Sequence, residues 1–263
     1  MMLGMSTSGI SSRRRHRAVP QQLWRARVVR TERVTPKMAR ITVGGPGLAG
    51  FENAGGDTAL MLYLYPPGTE LPEDFTIEKA RVGFATLRPH MRSYTVRRHD
   101  ADKGEIDFDF VMHAHDGHLA TASSWAEQAS IGDEMVFVGP SPAHSLNPDA
   151  DWHLLIGDET ALPAISVMLE ELPADAVAHA FIEVADPAEQ QELVVDCQAA
   201  IHWVHRSAGG SLATALAAAD FPPGTVDVWA AGEKGAMMDV RAQLVDVRGL
   251  DRRTVRPHTY WRA

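Results

Sequence analysis

The feature that most limits how this chain can fold is a change of hydrophobic pattern partway along it. Between residues 23 and 140, short segments alternate apolar and polar side chains, the period expected of half-buried strands, at 24–30, 39–43 and 106–111. Further strand candidates lie at 60–65, 92–97 and 134–138. Glycine and proline clusters at 44–47, 55–57 and 66–68 separate them. Short strands with such punctuation predict a small antiparallel β-barrel, interrupted by one helix near Ala122–Gln128.

From Trp152 onward the pattern becomes strand, helix, strand. Apolar strands are expected at 152–156, 177–184, 201–204 and 226–230, with helices at 161–171, 212–218 and 236–247. Near-continuous apolar strands alternating with helices predict a parallel sheet covered on both faces. The polar, proline-bearing stretch 147–151 reads as the joint. The expected organisation is a disordered basic tail at 1–19, the barrel at 20–147 and an α/β domain at 148–263.

Composition narrows the function classes. No run approaches the ~18 apolar residues of a membrane helix, and the single cysteine, Cys197, excludes an internal disulfide and a thiolate metal cluster. The basic run from Arg13 to Arg17 leads into Val19-Pro20-Gln21-Gln22 rather than an apolar stretch, so it does not read as an export signal. A cytoplasmic location and a monomer are the simple expectations. Net charge is −9 despite that tail, so the body is acidic and lacks the basic stripe nucleic acid would require.

Several residues carry possible chemistry. The strand ending at Gly157 runs into Asp158-Glu159-Thr160 and a helix with Pro163 in its first turn. Such strand-to-helix turns bind phosphates in open parallel sheets, but also occur as capped turns with no ligand, and two carboxylates here would repel a phosphate unless turned away. The Gly-x-Gly-x-x-Gly fingerprint is absent. A second turn, containing Gly232, lies at another strand end. Arg206 follows the 201–204 strand, placed either to reach a ribose phosphate or to rest in solvent. In the first half, Arg92-Ser93-Tyr94-Thr95-Val96-Arg97 combines a phosphate clamp, a stacking ring and hydroxyls. The same alternation also suits plain exposed strand, with Arg92 and Tyr94 on one face and Ser93 and Thr95 on the other. The run His113-Ala114-His115-Asp116-Gly117-His118 contains metal-ligand types, yet reads better as polar loop, and no Ser/His/Asp triad can be argued.

Together these segments resemble the siderophore-interacting protein family, bacterial FAD-dependent ferric-siderophore reductases of the ferredoxin-reductase-like group. The resemblance runs from Trp24 to Trp261. It rests on Arg92–Arg97, Asp109-Phe110-Val111-Met112-His113, the stretch from Asp151 to Ile165, Trp229-Ala230-Ala231-Gly232-Glu233 and Tyr260-Trp261-Arg262, in that order. It implies a flavin-binding antiparallel barrel followed by an α/β nicotinamide-binding domain. It further implies FAD, with NADPH or NADH as electron donor, a ferric siderophore as substrate and no resident metal. By the same resemblance Arg92 would hold the FAD pyrophosphate, Tyr94 would pack on the isoalloxazine and Ser93 and Thr95 would lie beside it. His113 and the amides around Ala122, Ser123 and Ser124 would hold phosphates and ribose. Asp158, Thr160, Arg206 and Gly232 would face the coenzyme. His144 stands where the family often has an aromatic. A lysine common in the 60–65 strand falls, by this alignment, on Leu62. That substitution leaves Arg88, His90 and Arg97 as the cations expected to draw an anionic iron chelate. It also keeps open a redox protein or quinone as acceptor, and a non-enzymatic binding protein on the same fold.

Overall fold

The computed structural model describes residues 21–82, 88–112, 122–141 and 144–263. Two sheets organise them. The first comprises β1 (Gln22–Thr35), β2 (Met38–Gly44), β3 (Ala59–Leu64), β4 (His90–Thr95), β5 (Arg98–Asp100), β6 (Glu105–Val111) and β7 (Glu134–Gly139). Its order is β4-β3-β7-β1-β2-β6-β5, all antiparallel. The two edge strands are consecutive in the chain. Between them the Val96 amide bonds Thr58 O on one side and the Arg97 amide bonds Asp107 O on the other. The expected single strand over 92–97 therefore breaks at Val96-Arg97, where the chain crosses from one edge to the other and the sheet rolls toward a barrel. Inside lie Ile41, Leu60, Leu62, Ile106, Phe108 and Phe137, all fully buried.

A short helix, α1 (Ile77–Val82), follows β3, and α2 (Ala122–Gln128) precedes β7. The second sheet comprises β8 (Trp152–Asp158), β9 (Val177–Val184), β10 (Gln198–His205), β11 (Val226–Glu233) and β12 (His258–Trp261). It is parallel, in the order β10-β9-β8-β11-β12. One face is covered by α3 (Leu162–Glu171), through Leu162, Ile165 and Met168. The other is covered by α4 (Leu212–Ala218) and α5 (Lys234–Ala242), through Leu212, Leu216, Met237 and Val240. α4 begins at a capping box between Ser211 and Thr214. The expected helix over 236–247 is α5 followed by a π-helical turn at Gln243–Val247.

The halves meet along a polar seam. Both Glu171 carboxylate oxygens accept the Gly56 amide at 2.9 Å. Buried Glu189 accepts the Thr35 hydroxyl at 2.5 Å and the Lys37 amide at 3.0 Å. Asp57 accepts the Trp229 indole N–H at 3.1 Å, and Arg97 pairs with Glu170 on α3 at 2.7 Å. These contacts align the carboxyl end of the parallel sheet with the open side of the barrel. No helix among the described residues is long and apolar enough to cross a membrane.

Candidate active site: the cleft between the sheets

A cleft of about 640 Å3 opens where the halves meet. Its barrel wall is built from Met61 on β3, Met91 to Thr95 on β4, Asp109 and Val111 on β6, and Ala122 and Ser123 on α2. Its opposite wall is Thr160, Pro163 and the run His258 to Trp261 on β12. The register keeps the expected division of faces: Ser93 and Thr95 lie opposite Met61 and Ala59, while Arg92 and Tyr94 lie opposite Leu62 and Leu60, and at this sheet edge all four residues border the cleft.

The Tyr94 ring lies 4.2 Å from Phe110, centroid to centroid and tilted, and burial raises its hydroxyl pKa against the opposing influence of Arg92. Buried Thr95 meets the Tyr260 hydroxyl across the cleft. The Tyr260 hydroxyl pKa is likewise raised, by desolvation at its hydroxyl end first and then by the Asp57 charge, although two-fifths of the residue stays accessible from the cleft. Exposed Arg92 donates to Met91 O at 2.8 Å and meets no carboxylate among the described residues. A guanidinium has five N–H donors, so most of this one's capacity faces outward. Beneath it Asp109 is spoken for, receiving Arg40 Nε and Nη2 at 2.7 and 2.8 Å. Arg40 is correspondingly raised, chiefly by that hydrogen bond.

Three of the large apolar side chains left exposed, Met91, Tyr260 and Trp261, line this cleft, each about two-fifths accessible. Exposed apolar surface gathered in one concavity marks a binding site. A free cation for a pyrophosphate, a ring beside flat apolar walls and several hydroxyls are what a flavin dinucleotide requires, so the residues present fit FAD.

Other expected site residues fall elsewhere. Asp158 is buried and fully engaged: Oδ1 accepts the Thr160 amide at 2.9 Å and its hydroxyl at 2.5 Å. Oδ2 accepts the Glu233 amide at 2.9 Å and the Trp261 indole N–H at 2.8 Å. It ties together the ends of β8, β11 and β12 instead of meeting a ligand, and it occupies the Thr160 amide expected to await a phosphate. Gly232, at φ 154°, is required by this clamp, since a Cβ there would stand 2.7 Å from Asp158 Oδ2. Arg206 is held by Glu159 and Glu183.

Arg97 is committed to Glu170 and is no free substrate cation. His144 lies outside the cleft. Its amide bonds Asp57, and its ring stands 3.7 Å from Asp227 beside a separate cavity at the joint. Ser124 is buried on α2 and is not among the cleft-lining residues. Arg88 is exposed and His90 half-buried, flanking the cleft through β4, with burial first and then Arg92 lowering the His90 pKa. His113 and the rest of its histidine run lie outside the described residues.

Leu62, set by the resemblance where the family often has a lysine, points into the barrel core, and Met61 is the neighbour on β3 that faces the cleft. What the sequence reading lacked was β12. Its aromatic pair supplies much of one wall, and with all four residues exposed no alternation marks the strand.

The two sheets and the cleft between them define an oxidoreductase of ferredoxin-reductase-like fold whose barrel half is an FAD-binding domain. More narrowly, residues 27–144 match the siderophore-interacting FAD-binding domain and residues 150–263 the siderophore-interacting protein model. The chain belongs to the siderophore-interacting protein family. It is 36% identical to a siderophore utilization protein from T. fusca whose crystal structure superposes with a TM-score of 0.77, over 94% of this chain and 95% of that one. It is 30% identical over 239 residues to the NADPH-dependent ferric-chelate reductase of Escherichia coli, covering 90% of this chain and 91% of the relative. It is 28% identical over 239 residues to the ferric vibriobactin reductase ViuB of Vibrio cholerae, covering 89% and 87%.

Proposed function

We propose that this protein reduces ferric siderophores with electrons from NAD(P)H, releasing iron as iron(II), which chelators hold far more weakly. The observation that carries the reading is the single cleft in which Arg92, Tyr94 and Thr95 of the barrel face Thr160 and Tyr260 of the α/β half. Residues 20–147 would hold FAD and residues 148–263 the coenzyme. When bound, the flavin supplies the conversion of a two-electron hydride into single electrons for iron(III). The chain's own part is positional. Arg92 binds the pyrophosphate, Tyr94 and the β12 aromatics wall the ring, and Thr95 and Tyr260 hold neutral hydroxyls at its edge. The ferric complex is substrate and would approach by Arg88 and His90. The functions of two relatives, a ferric-chelate reductase and a ferric vibriobactin reductase, support this reading. A cytoplasmic setting suits it.

A redox protein or small quinone as acceptor is the second reading, favoured because β3 brings Met61 rather than a cation to the cleft. The test is anaerobic. The purified protein should carry flavin absorbance and be bleached by NADH or NADPH, then be reoxidised by a panel of ferric chelates, quinones and redox proteins. If no ferric chelate accepts electrons faster than free iron or oxygen, the siderophore reading fails.

A further inference from the structure

The carboxyl edge of the parallel sheet holds an arrangement with its own chemical meaning. Arg206, just past β10, is bridged by two carboxylates: Nη1 meets Glu159 at 2.7 Å and Glu183 at 3.2 Å, and Nη2 meets the other Glu159 oxygen. Glu159 comes from the turn after β8 and Glu183 from the end of β9, so three neighbouring strands each supply one member. Glu183 is fixed from its other side by the Leu212 amide at 3.2 Å, at the start of α4. The carboxylates are largely covered, at 16% and 12% side-chain exposure, while Arg206 is at 39%. Two negative charges and one positive leave the bridge at −1. Asp186 follows β9, capping the Ala188 amide at 3.0 Å and pairing with Lys37 at 3.4 Å.

Coenzymes of open parallel sheets lie across the strands' carboxyl ends, and the end of the second strand is where the adenosine ribose is read. Thr160, next to Glu159, lines the cleft. β10 lies two strands from β8, about 10 Å, within reach of a dinucleotide whose nicotinamide occupies that cleft. We propose that the Glu159–Arg206–Glu183 bridge selects NADH over NADPH. The proposal rests on the reading above that a nicotinamide coenzyme binds this sheet. A 2′-phosphate brings about −1.5 to −2 charges near neutral pH and needs a free cation. Here it would have to pull Arg206 from both partners and leave two covered carboxylates uncompensated beneath it. A ribose with free hydroxyls instead donates to lone pairs that the carboxylates still have. The coenzyme would then differ from that of the NADPH-dependent Escherichia coli relative.

The experiment is calorimetric titration of the FAD-loaded protein with NAD+ and NADP+, and with adenosine 5′-monophosphate and adenosine 2′,5′-bisphosphate, alongside anaerobic flavin reduction by NADH and NADPH. The ligands without a 2′-phosphate should bind at least about tenfold more tightly, the effect of one unmet charged hydrogen bond. The pair Glu159→Gln with Glu183→Gln should narrow the ratio by releasing Arg206, whereas Arg206→Ala should not. Equal or tighter binding of the 2′-phosphorylated ligands to the unaltered protein overturns the proposal, a result that stands even if the double variant does not fold. If flavin is reduced by both coenzymes with NADPH ahead, only the proposal fails. If neither coenzyme binds or reduces the flavin, the reductase reading fails and takes the proposal with it.

Discussion

Replacing Asp158 by Asn tests the clamp at the sheet's carboxyl edge. The carboxylate accepts from four donors: the Thr160 amide and hydroxyl at Oδ1, and the Glu233 amide and Trp261 indole at Oδ2. An amide side chain keeps the size but must turn its NH2 one way or the other. Turned toward Thr160, it can be met by the hydroxyl as acceptor, but it orphans one backbone N–H. Turned toward Glu233 and Trp261, it faces two donors and satisfies neither. The first arrangement is the less costly, and it loses one buried hydrogen bond plus the charge assistance on two more. At about 1–3 kcal/mol for an unsatisfied buried group and a further fraction for each weakened bond, the loss should total roughly 3 kcal/mol. For a chain of this size that corresponds to a fall in Tm of roughly 6–12 °C. Urea unfolding followed by tryptophan fluorescence reads the stability directly, and Trp261, one of the clamp's donors, is among the reporters. A variant within about 0.5 kcal/mol of the parent, the usual range for a neutral surface change, would refute the clamp.

Arg92→Ala removes the proposed pyrophosphate cation, and FAD affinity should drop about ten- to hundredfold in a flavin-fluorescence titration; unchanged affinity would remove Arg92 from the site. A lysine at Leu62 would bury an unpaired charge in the barrel core and should destabilise by about 3 kcal/mol or more in urea. Met61→Lys should instead fold normally and speed the reduction of an anionic ferric chelate, with a gain that fades as salt screens it over about 10 Å at 0.1 M. The His144–Asp227 pair sets a pH window. Asp227 is shifted well below its ordinary 3.8 although burial opposes this, because His144, His153 and the Asn147 amide outweigh it. His144 is raised above 6.5, chiefly by Asp227 and against burial. The raised histidine contributes stability below pH 6.5 that is lost as pH rises through its folded value, and the depressed carboxylate contributes above pH 3.8. The parent should therefore lose stability as pH rises from 6.5 through the higher folded value of His144, and Asp227→Asn should flatten that slope in urea titrations.

Much of the architecture was legible because burial imprints a period. β9, α2 and α4 coincide with their expected bounds. β1 runs on to Thr35, well past residue 30, because residues 29–33 are exposed while their backbone still pairs with β2. Without a buried face the alternation vanishes. β12 escaped for the same reason, with all four residues exposed. α1 has only six residues, too few to show a helical repeat. In the site, the chemistry of Arg92 and Tyr94 was visible in residue type alone. The engagements of Arg97, Arg206 and Asp158 were not, since their partners lie 73, 47 and up to 103 positions away. A charge's availability depends on those distant neighbours, and no local pattern records them.

The seam between the halves also bears on timing. It is pinned at Thr35–Lys37, at Gly56-Asp57 and at Arg97, points far apart along the chain. Several independent pins leave little freedom to hinge, so visitors enter a vessel whose walls are already set. Capture by walls pinned in this way is governed by diffusion and by the field at the mouth. For a body as acidic as this one, that field slows every anionic guest, coenzyme and ferric chelate alike, and salt should bring both in faster wherever no local cation reverses it.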